Sequence, residues 1–281
     1  MNVCFIVDNG KTKEHPVLGA ALEQVTLTHS ARLLHIAGLT GDQAIACEID
    51  YPLADIYLLK SHLPQALEVA RHLEERGALV INSFASSSAC QDRALMAQRM
   101  SEAGLAFPRT WTFSSVAEIL EPDGRFTVLP LPFIIKSRYS QRGDLVEIIQ
   151  SIEQLRALAG RNREAVIVQE FAAGDGWDIK LWVIDQQAFA ARRRTSLEPN
   201  ASKENFPLAA EELPSAWRSI ALEIGRAFDL RLYGVDLVLS EQVPVVVDIN
   251  SFPGFRGVRG AAALLVGLIE RLANTGQRGG L

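Results

Sequence analysis

Two segments of the sequence carry the strongest information on the fold: Tyr233-Gly-Val-Asp-Leu-Val-Leu239 and Val245-Val-Val-Asp-Ile-Asn-Ser-Phe-Pro-Gly254. Both segments are apolar apart from a few polar side chains, and they predict two neighbouring strands of one sheet. Asp248 and Asn250 are two residues apart and therefore share a face of their strand. Asp236 on the adjacent strand can lie beside them.

These three side chains are candidate metal ligands. Two carboxylates and one amide are the hard oxygen donors that Mg²⁺ takes when it also binds phosphates. The alternative is that Asp236, Asp248 and Asn250 simply form turns at strand ends. Burying two acids without a cation is costly, which favours the metal site.

Lys136 ends a second apolar run, Phe133-Ile-Ile, and precedes a loop of small and polar residues from Ser137 to Asp144. A lone lysine at a strand end is usually solvated. The loop that follows favours another interpretation, because its backbone N–H groups can surround phosphates while Arg138 and Arg142 add positive charge.

A predicted hairpin carries the next set of charged residues. Its strands are Trp177–Ile184 and Ala188–Arg194, joined by a turn at Asp185-Gln186-Gln187. Asp178 and Lys180 share one face of the first strand, as Arg192 and Arg194 do on the second. The arginine run 192–194 either forms a charged edge that prevents aggregation or stabilises a transferred phosphoryl group.

Composition narrows the class of protein. The chain has 281 residues, a net charge of −5 and no concentrated block of Lys and Arg, which argues against nucleic-acid binding. No apolar run approaches the ~18 residues of a membrane span. Three widely spaced cysteines, Cys4, Cys47 and Cys90, predict reduced thiols in a cytoplasmic protein.

The order of elements predicts three domains. In the first 86 residues, the short strands Val3–Val7, Ile56–Leu59 and Ala78–Ile81 surround a helix at Pro64–Arg76, which predicts a small parallel α/β domain. We place a central domain at 87–168 and a C-terminal domain with the metal site at 169–281. The polar segment 198–214 is the candidate lid over the site.

Taken together, these motifs resemble the ATP-grasp superfamily over about residues 85 to 275. The resemblance rests on Lys136, Val168-Gln-Glu-Phe171, Asp178-Ile-Lys180, the arginine run, Asp236 and Asp248-x-Asn250-x-x-Pro253-Gly254. The chain is most similar to the RimK-type carboxylate–amine ligases. The resemblance implies an α/β (α+β) ATP-grasp fold, in which two α+β domains sandwich ATP behind the small N-terminal α/β domain.

The resemblance also implies residue roles. ATP phosphates would be bound by Lys136, with Arg93 and Arg138 as further contacts, and adenine by the hinge Gln169, Glu170 and Phe171, with Asp178 on the ribose. Lys180, Arg193 and Arg194 would act on the phosphates or on the transition state. Asp236, Asp248 and Asn250 would hold Mg²⁺, two ions in all, with Mn²⁺ as a substitute.

The expected reaction joins a small-molecule or peptide carboxylate to an amine with ATP. Asp-Ile-Asn followed by Phe-Pro-Gly also resembles the inositol trisphosphate kinases of the same superfold, so a small-molecule kinase is the alternative. A non-catalytic nucleotide-binding protein is a third interpretation. A homodimer remains open, and neither nucleic acid nor a membrane is an expected partner.

Overall fold

The computed structural model describes residues 1–49, 51–121, 130–140, 143–195 and 204–276. Three sheets follow one another in this part of the chain. Each sheet packs helices against an apolar face, and the three sheets together position the site.

The first sheet is parallel, with the strand order β2-β1-β3-β4. Its strands and helices are β1 (Asn2–Val7), α1 (Pro16–Thr26), β2 (Ser30–His35), α2 (Gly41–Ile49), β3 (Ile56–Lys60), α3 (Pro64–Glu75) and β4 (Val80–Ile81). Helices cover both faces, as parallel sheets require. The small parallel α/β domain was predicted, but α1, β2 and α2 were missed, because the edge strand β2 is only partly buried and mixes Ser, Arg and His with its apolar residues.

The central sheet is antiparallel, with the order β5-β8-β6-β7. Two helices, α4 (Phe84–Gln91) and α5 (Arg93–Glu102), lead into it. Its own elements are β5 (Thr110–Phe113), α6 (Val116–Ile119), β6 (Phe133–Ser137), β7 (Val146–Ile149), α7 (Ile152–Arg161) and β8 (Val166–Glu170). Both α6 and α7 contribute to its core.

The C-terminal sheet has the order β11-β10-β9-β12-β13. Its elements are β9 (Trp177–Ile184), β10 (Gln187–Arg194), β11 (Phe206–Pro207), α8 (Ser215–Phe228), β12 (Leu232–Ser240), β13 (Val243–Ser251) and α9 (Ala261–Gly276). The two predicted hairpins are β9–β10 and β12–β13, and pairing of β9 with β12 joins them into one sheet.

The cores cross the predicted domain limits. Phe5 of the first sheet shares a core with Trp182 and Phe252 of the C-terminal part. Met96 of α5 packs with Ile179 of β9 in another core. The limit placed after residue 86 falls within α4, and the limit placed after residue 168 falls within β8. The division into three domains stays a prediction.

One side chain fastens the first sheet to the last. The amide of Asn82 donates to the backbone carbonyl of Leu232 over 2.7 Å. Its Oδ1 accepts from the backbone N–H groups of Arg231 and Leu232, at 2.8 and 3.2 Å. Asn82 is buried and so acts as a peptide-like partner for the start of β12.

No helix among the described residues is long and apolar enough to cross a membrane.

Candidate active site

The charged residues of β9, β10, β12 and β13 meet on one face of the C-terminal sheet. Asp178 lies opposite Arg193, Lys180 opposite Asp236, and Asp236 opposite Asp248. Directly opposed residues of antiparallel strands project from the same face, so these side chains converge. Lys180 Nζ lies 2.6 Å from Asp236 Oδ1, and Arg193 Nη2 lies 3.6 Å from Asp178 Oδ2.

A β-bulge in β13 provides an acceptor for Lys136 at this face. The register of β12 and β13 shifts after Asp236, so Leu237 pairs with Val246 and Val247 has no register partner. The ammonium of Lys136 donates to the carbonyl of Val247 over 2.8 Å and to Gln169 Oε1 over 2.9 Å. Burial lowers the pKa of Lys136 to about 8, against the opposing effect of Asp248.

A cavity of about 130 Å³ lies where the central and C-terminal sheets meet. Eight of the predicted site residues line it: Arg93, Lys136, Gln169, Glu170, Asp178, Arg193, Asp236 and Asp248. Apolar side chains, among them Ile134 and Val238, complete the wall. A pocket with an apolar wall and a charged floor suits a flat aromatic ring joined to phosphates.

Arg93 links the loop after Lys136 to β13. It is 5% exposed, and its Nη1 donates to Asp144 Oδ2 over 2.6 Å and to the Ser137 carbonyl over 2.8 Å. Its Nη2 lies 3.6 Å from Asp248 Oδ2. The guanidinium therefore fixes the predicted phosphate loop relative to a candidate metal ligand.

Arg138 is already engaged by another residue. Its Nε and Nη2 donate to the Asp92 carboxylate over 2.8 to 3.1 Å, and Asp92 also caps α5 through the Ala94 N–H. Arg138 does not line the cavity. Arg142, the other arginine of this loop, lies outside the described residues.

Arg194 and Phe171 are not brought to the cavity. The Arg194 guanidinium lies 4.1 Å from the centre of the Trp177 ring, and these two residues pair on the face opposite to Arg193. Phe171 follows β8, and the next residue, Ala172, lines the cavity in its place. The roles predicted for Arg194 and Phe171 stay predictions, without support from this arrangement.

Gln169 and Glu170 take different positions at the end of β8. The Gln169 side chain is 1% exposed, where it accepts from Lys136 and donates to Thr110 Oγ1 over 3.2 Å. Glu170 lines the cavity, and its Oε2 accepts from the Arg109 N–H over 3.3 Å. Gln169 therefore orients the lysine rather than presenting its side chain to the cavity mouth.

The candidate metal ligands fit a divalent cation as a donor set. Asp236 and Asp248 face each other, and Asn250 is on the same face one pleat further, opposite Gly234. Among the described residues no cluster of three His, Cys, Asp or Glu side chains could hold a metal. An ion here would therefore take two carboxylates and the amide and complete its shell with phosphate oxygens or water.

Sequence reasoning missed several residues at the site. Thr195 lines the cavity, and Asp144 holds Arg93. Asp144 carried a weak signal, as an acid at the end of the predicted phosphate loop. The Val247 carbonyl carried none, because backbone groups leave no trace in the sequence.

The predicted lid is described only in part, since residues 196–203 lie outside the described ranges. The part that follows forms β11, which pairs with β10 at the edge of the sheet. Asn205 donates to the carbonyl of Arg256 over 3.4 Å. This segment therefore passes between the arginine strand and the chain that follows β13.

A family model described as a RimK-like ATP-grasp domain matches residues 108–266, more than half of the chain. The chain belongs to this family. A protein named "Probable alpha-L-glutamate ligase 2" from Shewanella sp. (strain MR-4) is 28% identical over 203 residues, which cover 69% of this chain and 67% of that one. A protein named "Probable alpha-L-glutamate ligase" from Chromohalobacter salexigens is 28% identical over 220 residues, which cover 74% of this chain and 72% of that one.

Solved structures share the fold along nearly the whole chain. The RimK domain ATP-grasp protein of Sphaerobacter thermophilus superposes with a TM-score of 0.72 at 19% identity, covering 98% of this chain and 100% of that one. D-alanine–D-alanine ligase of Bacillus anthracis complexed with ATP gives a TM-score of 0.73 at 16% identity, covering 99% of both chains. The predicted ATP-grasp fold and the predicted membership of the RimK-like ATP-grasp ligases are confirmed.

Proposed function

We propose that this RimK-like protein is a carboxylate–amine ligase that depends on ATP and Mg²⁺ and forms an amide bond through an acyl phosphate. One observation carries the proposal. Lys136, Arg193, Asp236 and Asp248, which come from two sheets, line one cavity. Such a cavity combines cations for phosphates with carboxylates for the metal that accompanies them.

The bonds made and broken define the reaction. A carboxylate oxygen of the acid substrate attacks the γ-phosphorus of ATP, and ADP leaves. The amine then attacks the acyl carbon, phosphate leaves with the oxygen that had bridged carbon and phosphorus, and the amine nitrogen releases a proton, which leaves with the phosphate. Two substrates and one nucleotide must be held in line, so positioning and charge stabilisation are the chief contributions of the protein.

Lys136 and Arg193 supply the positive charge at the cavity wall. Lys136 is held by Gln169 and Val247, so its ammonium points in a fixed direction. Arg193 is held more loosely, 3.6 Å from Asp178. We assign Lys136 to the phosphates of bound ATP and Arg193 to the phosphoryl group during transfer.

Asp236, Asp248 and Asn250 would hold Mg²⁺, which when bound neutralises charge on the phosphates and orients them. In the structure each carboxylate has a cationic neighbour, Lys180 for Asp236 and Arg93 for Asp248. Both carboxylates line the cavity beside these neighbours.

The relatives' names suggest the substrate class. They name glutamate ligases, so we propose an amino acid or peptide as one substrate. The test is to incubate the protein with Mg-ATP and a panel of amino acids and small acids, and to measure ADP release with hydroxylamine present as a trap. Hydroxamate from one class of acid supports the ligase and names its acid, whereas ADP release with a polyol phosphate and no hydroxamate would indicate a kinase.

A further inference from the structure

Three basic side chains meet at the carboxyl end of the parallel sheet, outside the nucleotide cavity. Lys60 ends β3, His15 caps the start of α1, and Arg256 follows β13 two residues after Gly254. We call them the basic edge cluster. Lys60 Nζ lies 5.8 Å from the centre of the Phe252 ring, which follows β13 directly. Burial lowers the pKa of His15, and the charges of Arg256 and Lys60 lower it further.

His15 presents a fixed hydrogen-bond donor. Its Nδ1 accepts from the backbone N–H groups of Val17 and Leu18, at 3.3 and 3.2 Å. A ring nitrogen that accepts cannot carry the proton, so the neutral imidazole carries it on Nε2. The cap therefore sets the tautomer and directs an N–H away from the helix.

Gly254 leaves room in front of this donor. A Cβ added at position 254 would lie 2.9 Å from His15 Nε2, closer than real Cβ atoms come. Any other residue would therefore crowd the imidazole. Glycine at this position keeps the N–H of His15 accessible beside Arg256.

The cluster has an excess of positive charge. Among the described residues, neither the ammonium of Lys60 nor the guanidinium of Arg256 has a hydrogen bond or an ion pair with a side chain. Asp8 is the acid near Lys60, and it already accepts from Ser61 Oγ. Burial lowers the pKa of Lys60, against the opposing effect of Asp8. An anion from outside would give both cations a partner.

The position of the cluster suits a substrate. His62, two residues after Lys60, has a pKa lowered to about 4 by burial and by Lys60, while Asp8 and Asp144 act on it in the opposite direction. Asp144 is the carboxylate that holds Arg93 in the nucleotide cavity. Gly254 is four residues from the candidate metal ligand Asn250. Arg256 therefore lies on the segment that leaves β13, the strand of the candidate metal ligands Asp248 and Asn250.

We propose that His15, Lys60 and Arg256 bind a substrate carboxylate that does not react. This inference rests on the proposed ligase function and deepens it. The substrate would carry a carboxylate besides its reacting group. It would be either an amino acid that supplies the amine or a diacid that supplies the acyl group. Two N–H donors and an ammonium match the lone pairs of one carboxylate.

The test is calorimetric titration of the full chain, with Mg-ADP present, by glutarate, L-glutamate, L-glutamine, L-isoglutamine and acetate. The variants are Lys60→Met and Arg256→Gln. Arg76→Gln is the matched control, because Arg76 is exposed at the end of α3, where the parallel strands begin. Lys60→Arg keeps the charge and checks that a loss in Lys60→Met does not come from misfolding.

We expect Lys60→Met and Arg256→Gln to bind the tightest probe at least about tenfold more weakly, because each removes a charge-assisted hydrogen bond. Arg76→Gln and Lys60→Arg should bind like the wild type. One of the two amides, L-glutamine or L-isoglutamine, lacks the carboxylate that the cluster recognises. That amide should bind the wild type weakly and should bind the variants with the same weak affinity. L-Isoglutamine in that role indicates the α-carboxylate of an amino acid, and L-glutamine indicates the distal carboxylate of a diacid.

Two results would overturn the inference: no probe binds the wild type, or the probes bind the variants as tightly as the wild type. Failure of the ligase proposal is distinguishable. Hydroxamate formed with a KM for the acid and for the amine unchanged in both variants rejects the cluster and leaves the ligase standing. Binding lost in both variants, with no hydroxamate from any acid, rejects the ligase and leaves the cluster standing.

Discussion

Lys136 donates to the backbone carbonyl of Val247 across 2.8 Å, and this bond joins the central sheet to the strand that carries Asp248. The carbonyl is available because Val247 is the extra residue of a β-bulge and has no register partner on β12. A shift in the bulge would move Lys136 and Asp248 relative to each other. The candidate phosphate contact and the candidate metal ligand therefore depend on one local irregularity.

Lys136 should make stability depend on pH. Burial lowers its pKa to about 8 from 10.5, so above about pH 8 the folded protein releases a proton that the unfolded chain still holds. The cost of burying the charge is present below about pH 8 and is relieved as the pH rises toward 10.5. The free energy of unfolding of the nucleotide-free wild type should therefore rise by ~1–2 kcal/mol relative to Lys136→Met between pH 7 and 9.5.

Urea unfolding of both proteins at the two pH values measures this difference in the free energy of unfolding between the wild type and Lys136→Met. The comparison between variants cancels the titration of the buried Cys4 and Cys90, whose raised pKa values act in the opposite direction. If the difference in the free energy of unfolding is the same at both pH values, the ammonium of Lys136 is not desolvated.

Asp248→Asn should lower turnover strongly and leave the fold intact. The side chain is 20% exposed and lies outside the apolar cores, so its loss removes a metal ligand and not packing. We expect kcat to fall roughly 100-fold or more, with the Mg²⁺ concentration for half-maximal rate raised. Turnover and the thermal midpoint of unfolding check both parts. A destabilised protein with unchanged turnover per folded molecule would contradict the assignment.

Arg193→Gln and Arg194→Gln should behave differently. Arg193 lines the cavity and faces Asp178, whereas Arg194 stacks on Trp177 on the other face of the sheet. Loss of Arg193 should lower kcat by roughly 100-fold, and loss of Arg194 should change it little. Parallel measurement of kcat and of the KM for ATP decides between the two. The opposite ranking would mean that β10 lies in the other register.

The length of the turn between β9 and β10 determines whether Arg193 or Arg194 faces Asp178. A three-residue turn at 185–187 would place Ile184 opposite Ala188. The residue numbers of every facing pair would then add up to 372, and Arg194 would face Asp178. The structure has a two-residue turn, with Asp185 in the left-handed region at φ 58°, and Ile184 pairs with Gln187. The sum becomes 371, and Arg193 faces Asp178. A slip of one residue exchanges the two faces of a strand.

Other parts of the site could be predicted because they depend on local order alone. The strands with Asp236 and Asp248 are apolar and closely spaced, so their pairing and shared face followed from the pattern. The contacts of Arg93 with Asp144 and Asp248 span 51 and 155 residues and depend on how helices and sheets pack. No local pattern contains that information. The elements α1, β2 and α2 were missed for a related reason, because their apolar and polar residues follow the helix or strand period weakly.

Asn82→Ala should destabilise the protein without touching the cavity. The side chain makes three hydrogen bonds to the backbone of Arg231 and Leu232. Its loss removes the side-chain acceptor of two N–H groups, while the Leu232 carbonyl keeps the Phe252 N–H. We expect the free energy of unfolding to fall by ~2–4 kcal/mol. Asn162→Ala is the control, since Asn162 makes one side-chain bond, to the Glu164 N–H in a surface loop. Equal, small effects of both substitutions in urea unfolding would show that Asn82 is not a structural bridge.

Transfer of oxygen from the carboxylate to phosphate distinguishes an acyl phosphate from other routes to the amide. The acid substrate found with the hydroxylamine trap is labelled with ¹⁸O in its carboxylate and turned over with unlabelled ATP and the amine. If the carboxylate attacks the γ-phosphorus, the released phosphate carries one ¹⁸O per amide formed, and the Asp248→Asn variant releases it at a rate lowered roughly 100-fold or more. Amide formation with unlabelled phosphate would exclude an acyl phosphate, because the carboxylate oxygen would then never have been bonded to phosphorus.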